Sequence, residues 1–204
     1  MSLVTNAQFI TGVVGEDAIL HDGVPQIAFV GRSNVGKSST MNAILGRTSL
    51  VKTGRTPGKT REINFFSVTT NDGLVRYFVD LPGYGYAKVS KLERKKLEDL
   101  ITWYLSLEEG GPDLVCVVLD AKVGLTDLDR EFSKIAIDQG RLLLVLVNKL
   151  DKINQKAQAA LKRSLQGELG TEVTIFYYSA KTGKHLNIIN NYLFGGEDPQ
   201  EVLS

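Results

Sequence analysis

Apolar residues recur along the chain in two rhythms. Nearly unbroken apolar runs, Ile27–Val30, Leu114–Leu119, Leu142–Val147 and Val173–Tyr178, alternate with longer segments whose apolar residues recur every three or four positions. The runs predict strands buried on both faces, and the longer segments predict helices with one apolar stripe. One stripe is Leu92, Leu97, Leu100, Ile101 and Tyr104; another, within Asp127–Gln139, is Leu128, Phe132, Ile135 and Ala136. Ala157, Leu161, Leu165 and Leu169 form a third, and Leu186, Ile189 and Leu193 mark a closing helix. Thr40–Leu45 predicts a helix directly after the first strand. Two alternating runs, Ile63–Thr69 and Leu74–Val79, flank Asn71-Asp72-Gly73, a hairpin signal, so they predict antiparallel neighbours. The whole pattern predicts an α/β three-layer sandwich: a six-stranded, mostly parallel sheet with one antiparallel strand and helices on both faces.

Residues 1–25 are weakly patterned, with turn signals at Gly15-Glu16-Asp17 and Asp22-Gly23, and are expected to form an N-terminal extension laid along the domain. Residues 26–194 then form one domain, and 195–204 a flexible tail. A chain of 204 residues with 43% hydrophobic and 23% charged composition fits such a soluble domain. Net charge is +1, so any attraction to nucleic acid must come from a local patch. The single cysteine, Cys116, lies in an apolar run and reads as a buried strand thiol, which suits a reducing cytosol. No apolar run approaches the ~20 residues that span a bilayer, and the N-terminus lacks the basic flank and apolar core of a secretory signal. His21 and His185 stand apart from other metal-ligating residues and read as surface positions.

The strongest chemical signal is Gly31-Arg32-Ser33-Asn34-Val35-Gly36-Lys37-Ser38-Ser39, a G-x-x-x-x-G-K-S loop between a predicted strand and a predicted helix. Glycine at 31 and 36 lets backbone N–H groups approach phosphate oxygens, and the helix start adds its positive dipole end. Lys37 supplies a charge for the β- and γ-phosphates, and the Ser38 hydroxyl is placed to ligate Mg²⁺. Alone, the loop could be an ordinary glycine-rich turn.

Ligands in open α/β sheets bind beyond the carboxyl ends of the strands, and further polar clusters fall there. Asp80-Leu81-Pro82-Gly83 offers an aspartate for Mg²⁺ through water and a glycine N–H for the γ-phosphate. Asn148-Lys149-Leu150-Asp151 discriminates between bases, because the Asp151 carboxylate can accept from both N1–H and the 2-amino group of guanine. Adenine would present a lone pair at N1 instead. Asn148 either braces the loop or reaches the base edge, and the Lys149 stem can lie over the ring. Ser179-Ala180-Lys181, directly after Tyr178, would offer a backbone N–H to the guanine oxygen. Thr60, in a polar basic stretch, would complete the Mg²⁺ shell when a γ-phosphate is present. G-x-x-x-x-G-K-S, D-x-x-G, N-K-x-D and S-A-K in this order resemble the full motif set of a P-loop GTPase, that is, of a G domain.

Together with Thr56-Pro57-Gly58-Lys59-Thr60-Arg61-Glu62-Ile63-Asn64-Phe65-Phe66 and Asp80-Leu81-Pro82-Gly83-Tyr84-Gly85-Tyr86-Ala87-Lys88, the loop makes the chain resemble the EngB-type (YihA/YsxC) GTPases within the Era-like superfamily. The likeness runs from about residue 8 to 194. It implies a Mg²⁺-dependent GTPase acting in bacterial large-ribosomal-subunit assembly and linked to cell division. Its partners would be rRNA and ribosomal proteins of the large subunit or its precursor, and it would be a cytoplasmic monomer away from membranes. Carried over, Ser38, Thr60 and Asp80 are the Mg²⁺ set, and Asn148 with Asp151 read the base. Gly58, Lys59, Tyr178, Ser179 and Ala180 join the nucleotide-binding positions, and Lys37, Asn34 and Thr60 are the catalytic candidates. The family often has T-K-A-D where this chain has N-K-L-D, and a second serine at Ala180.

Many GTPases place a glutamine after D-x-x-G to orient the attacking water; here Tyr84 stands in that place. Slow intrinsic hydrolysis is therefore expected, with the missing charge supplied by K⁺ or a partner. Asn34 is either a K⁺ ligand or a loop-bracing amide. Basic residues at 47–61 and at Lys88, Lys91, Arg94, Lys95 and Lys96 flank the γ-phosphate loops and fit either a solvated face or contact with RNA. A signalling GTPase with a protein effector and a non-hydrolysing GTP-dependent scaffold are the competing classes.

Overall fold

The computed structural model describes residues 3–51, 62–85 and 90–195. Seven strands form one sheet: β1 (Val4–Val13), β2 (Gln26–Gly31), β3 (Ile63–Thr70), β4 (Val75–Asp80), β5 (Leu114–Asp120), β6 (Leu142–Asn148) and β7 (Thr174–Tyr177). Their order is β1-β3-β4-β2-β5-β6-β7. β3 is antiparallel to both its neighbours and alone runs against the rest, as the Asn-Asp-Gly hairpin requires.

The strand count differs from the expected six because Val4–Val13 joins the sheet as an edge strand on β3. Two register shifts, between Val4 and Asn6 and between Phe9 and Thr11, break its pairing. Each extra residue flips the faces of those that follow, so no two-residue alternation survives in the sequence.

Among the described residues, five α-helices cover the sheet: α1 (Lys37–Ile44), α2 (Lys91–Leu105), α3 (Asp127–Asp138), α4 (Gln155–Leu169) and α5 (Leu186–Asn190). α5 runs on into a π-helical turn, Asn191–Gly195. Successive residues of β2 divide the two cores. Ala28 and Val30 pack with Ile101, Tyr104, Phe132 and Leu165 under α2, α3 and α4. Ile27 and Phe29 pack with Met41, Ile44, Ile189 and Leu193 under α1 and α5. Cys116 is fully buried in the second core, which pushes its thiol pKa up. Both histidines are exposed. No helix among the described residues is long and apolar enough to cross a membrane.

Helix starts are capped in different ways. Ser90 and Glu93 cap α2 reciprocally, and Asp129 accepts from the Thr126 N–H at 2.8 Å at the start of α3. α1 begins at Gly36 with no side-chain cap, which leaves its first N–H groups aimed at the carboxyl edge of β2.

Candidate functional site

The chain switches sides at β2: it runs out to β3 and back to β4 on one side, then crosses to β5, β6 and β7 on the other. This is the switch point at which open α/β sheets bind ligands. The parallel register places Gly31, Asp80, Asp120 and Asn148 along one edge, with Phe29 opposite Asp80, Gly31 opposite Val118, and Asp120 opposite Asn148.

The loop from Gly31 to Ser39 is shaped by close approaches. A Cβ on Gly31 would lie 2.7 Å from the Val118 carbonyl oxygen. Gly36 has φ +98°, and a Cβ there would lie 2.4 Å from Asn148 Nδ2. Asn34, exposed, is left-handed at φ 68°. The Val35 carbonyl accepts from Asn148 Nδ2 at 3.0 Å, and the Arg32 carbonyl accepts from the Val35 N–H. Ser38 is half-buried and Ser39 exposed on the first turn of α1.

Lys37 and Asp80 are both buried and form an ion pair across the switch point. Gly83 lies against Ser33, and the Ser33 N–H donates to the Tyr84 carbonyl at 2.8 Å. D-x-x-G and the glycine loop are thus bonded directly. The Tyr84 side chain points away from this edge. Its hydroxyl donates to the buried Asp129 of α3, and its ring packs on Phe132 at 4.9 Å. Burial first, then the Asp129 charge, push its pKa far up.

At the other end, Asn148 braces three segments. Its Nδ2 holds the Val35 carbonyl, and its Oδ1 accepts from the N–H groups of Lys149 (2.7 Å) and Ala180 (3.0 Å). Of the two roles open to it, the structure displays bracing. Lys149, left-handed at φ 64°, donates from Nζ to the Asn34 carbonyl at 2.6 Å and to Asp120 Oδ2 at 2.7 Å. Asp151 is exposed, and its Oδ1 accepts from Ser179 Oγ at 2.6 Å. That bond, with Lys152 and Lys181 nearby, holds its carboxyl below the usual range.

Tyr178 lies beneath the site rather than on it. It is fully buried, its hydroxyl meets Thr40 Oγ1 at 2.5 Å, and its carbonyl accepts from the Leu150 N–H. It therefore sets the height of α1 against the 148–151 loop. Gly58, Lys59 and Thr60 lie outside the described residues, as do Lys52, Arg55, Arg61, Lys88 and the tail from 196.

Two participants escaped sequence reasoning. Asp120 anchors Lys149 from the end of β5, and the strand-end rule would have found it. Asp129 holds Tyr84, and only its place in the T-x-x-D start of α3 hinted at a structural role.

The donor set suits a magnesium nucleotide. Among the described residues no cluster of three metal-ligating side chains exists to hold a bare cation. Ser38 and Asp80 beside a lysine match an ion that keeps waters and takes phosphate oxygens. A glycine cradle that a Cβ would fill and an uncapped helix start match phosphates.

Fold and site together define a P-loop GTPase. A family model described as "50S ribosome-binding GTPase" matches residues 26–149. The chain belongs to the EngB family of GTP-binding proteins. A "probable GTP-binding protein EngB" from Oleidesulfovibrio alaskensis is 46% identical over 159 residues, 78% of this chain and 71% of that protein. One from Dechloromonas aromatica is 40% identical over 204 residues, 100% of this chain and 88% of that protein. The crystal structure of a probable GTP-binding protein engB matches with TM-score 0.68 at 27% identity, covering 83% of this chain and 97% of that one.

Proposed function

We propose that this GTPase is a nucleotide-dependent switch in large-ribosomal-subunit assembly, linked to cell division, acting in the cytoplasm as a monomer with residues 26–194 as its working unit. The observation that carries this reading is the Ser33–Tyr84 backbone bond at 2.8 Å, with Gly83 packed on Ser33. It ties the phosphate loop to the segment leading into α2, whose Lys91, Lys95 and Lys96 are exposed. A charged partner on that helix, which begins seven residues after Tyr84, would feel the phosphates through this bond.

In this reading, N–H groups of residues 31–39 and the Lys37 ammonium hold the β- and γ-phosphates, and Asp151 accepts from the guanine edge. Asn148 and Lys149 keep the two ends at fixed separation, and the 179–180 turn closes the base side. Mg²⁺, held by Ser38, Thr60 and Asp80, would neutralise phosphate charge. Gly58, Lys59 and Thr60 belong to the γ-phosphate loop. Tyr84 cannot orient the attacking water, because its hydroxyl is buried against Asp129. Intrinsic hydrolysis is therefore slow, and a supplied positive charge, from K⁺ at Asn34 or from the partner, is worth about 10³–10⁵ in rate.

Sedimentation with large-subunit precursors under a GTP analogue, GDP and no nucleotide tests the switch. Co-sedimentation is expected with the analogue and reduced with GDP; equal binding in all three states refutes it. Turnover in potassium against sodium buffer tests the cation. Faster potassium rates, lost in Asn34→Ala, are expected, and identical rates remove K⁺ from the mechanism.

A further inference from the structure

Among the described residues, both cations of α3 are paired, whereas the three of α4 are not: Arg130 pairs with Asp127 and with Glu168 in the last turn of α4, and Lys134 pairs with Asp138. α4 carries Lys156, Lys162 and Arg163, and no carboxylate occurs from Gln155 to Gly167. Only Leu165 of α4 is buried, while Ala157, Ala159 and Ala160 are exposed, so a partner can approach the helix closely. Lys152 precedes the helix, and Lys181 and Lys184 sit on the turn after β7. The Asp151–Ser179 bond draws that turn beside the helix start.

All six cations are exposed, and none makes an ion pair with a described residue. Lys162 Nζ lies 5.1 Å from the ring centre of Tyr177 on β7, which extends the patch to the sheet edge. A chain of net charge +1 that gathers six such cations around Asp151 holds a local field suited to a polyanion.

We propose that α4 and the 181–184 turn form a second RNA-docking surface, which grips phosphate backbone in both nucleotide states. Independence of state follows from position. The patch adjoins the base-reading end at Asp151, whereas the D-x-x-G turn leaves β4, four strand spacings from β7, or about 19 Å. This surface would anchor the protein while the γ-phosphate loops supply the switch. The inference rests on the ribosomal reading above.

The test is the triple variant Lys156→Gln, Lys162→Gln, Arg163→Gln, none of which touches the nucleotide site. Lys134→Gln, whose ion-pair partner Asp138 lies on the same helix, is the control. Binding to large ribosomal subunits and to naked large-subunit rRNA is measured against salt under GDP and a GTP analogue. The expected result is at least about tenfold weaker binding in both states, with the log–log salt slope reduced by about 2–3. Melting temperature and GDP affinity stay at the wild-type values, and the control binds normally.

Unchanged binding by the triple variant, or loss in the GTP-analogue state alone, overturns the surface while leaving the switch intact. Weakened subunit binding with no wild-type affinity for naked rRNA assigns the face to a ribosomal protein and overturns the RNA assignment. Should the wild type bind no ribosomal particle in any state, the ribosomal reading itself falls and takes this surface with it.

Discussion

Asp120→Asn perturbs a residue that contacts no part of the expected nucleotide position, yet it should loosen binding. Asp120 uses both carboxylate oxygens: Oδ1 accepts from the Lys122 N–H at 2.9 Å, and Oδ2 from Lys149 Nζ at 2.7 Å. Asparagine has one acceptor oxygen, so its amide nitrogen must face either an N–H or an ammonium. The Lys149 and Asp120 side chains are 31% and 16% exposed, so water screens the pair only in part. Hydrogen bonds to charged groups contribute about 1.5–3 kcal/mol, and the bond from Lys149 to the Asn34 carbonyl survives. A net loss of about 1–2 kcal/mol is expected, or roughly 5- to 30-fold in affinity. It should appear as faster release of fluorescent GDP in stopped flow, with little change in association. Because the effect passes through Lys149, Asp120→Asn and Lys149→Met should couple by about 1 kcal/mol in a double-mutant cycle. Single losses that add, or an unchanged release rate in Asp120→Asn, would refute the reasoning.

Asp151→Asn should reverse base choice, losing guanine and gaining xanthine nucleotides, as competition binding would reveal; retained GTP preference refutes the assignment. Gly36→Ala forces a Cβ to 2.4 Å from Asn148 Nδ2 at φ +98°, so it should cost about 2 kcal/mol of stability in urea unfolding and weaken GDP binding at least tenfold. Tyr84→Phe removes the donor to buried Asp129, which keeps its bonds from the Thr126 N–H and hydroxyl, so a loss of about 1–2 kcal/mol in urea unfolding is expected. Tyr77 donates to Asp22 at 2.6 Å, and this bond pushes its phenol up to about 12. A raised folded pKa gives stability that is present below pH ~10 and lost as the pH rises toward 12; Tyr77→Phe should flatten that decline.

Strand and helix periods read well wherever each residue faces one way. β2, β5 and β6 are apolar except for a polar residue at one end of each (Gln26, Asp120 and Asn148), because both faces are covered, and the predicted runs match them to within a residue or two. β1 failed to read as a strand for the opposite reason. Its burial order, with Val4, Ala7 and Val13 inward, follows two bulges rather than any fixed period. The phosphate loop was legible because backbone geometry there demands glycine, and glycine is visible in a sequence. For Asn148 the sequence left loop bracing and base contact both open. That it braces Val35, Lys149 and Ala180 depends on loops 113 and 32 residues away coming together, which no local pattern encodes.

Holding the two ends of the nucleotide at a set distance is a harder physical problem than binding either end. Gly31 to Ser39 and Asn148 to Asp151 leave different strands, with β5 between β2 and β6. Their spacing would vary with every breathing motion of the sheet edge if only strand pairing fixed it. Two side chains cross the gap instead: Asn148 to the Val35 carbonyl, and Lys149 to the Asn34 carbonyl, the latter steadied by Asp120 on the intervening strand. Both crossings end on main-chain oxygens, so they constrain the loop whatever side chains it carries. On the γ-phosphate side the buried Lys37–Asp80 ion pair and one backbone bond from Ser33 to Tyr84 join the loops, and Tyr84 in turn is fixed to α3. In the proposed switch, phosphates that draw the Lys37 ammonium to themselves take it from Asp80, whereas both crossings at the base end persist, so movement would fall at the D-x-x-G end, where a partner on α2 could read it.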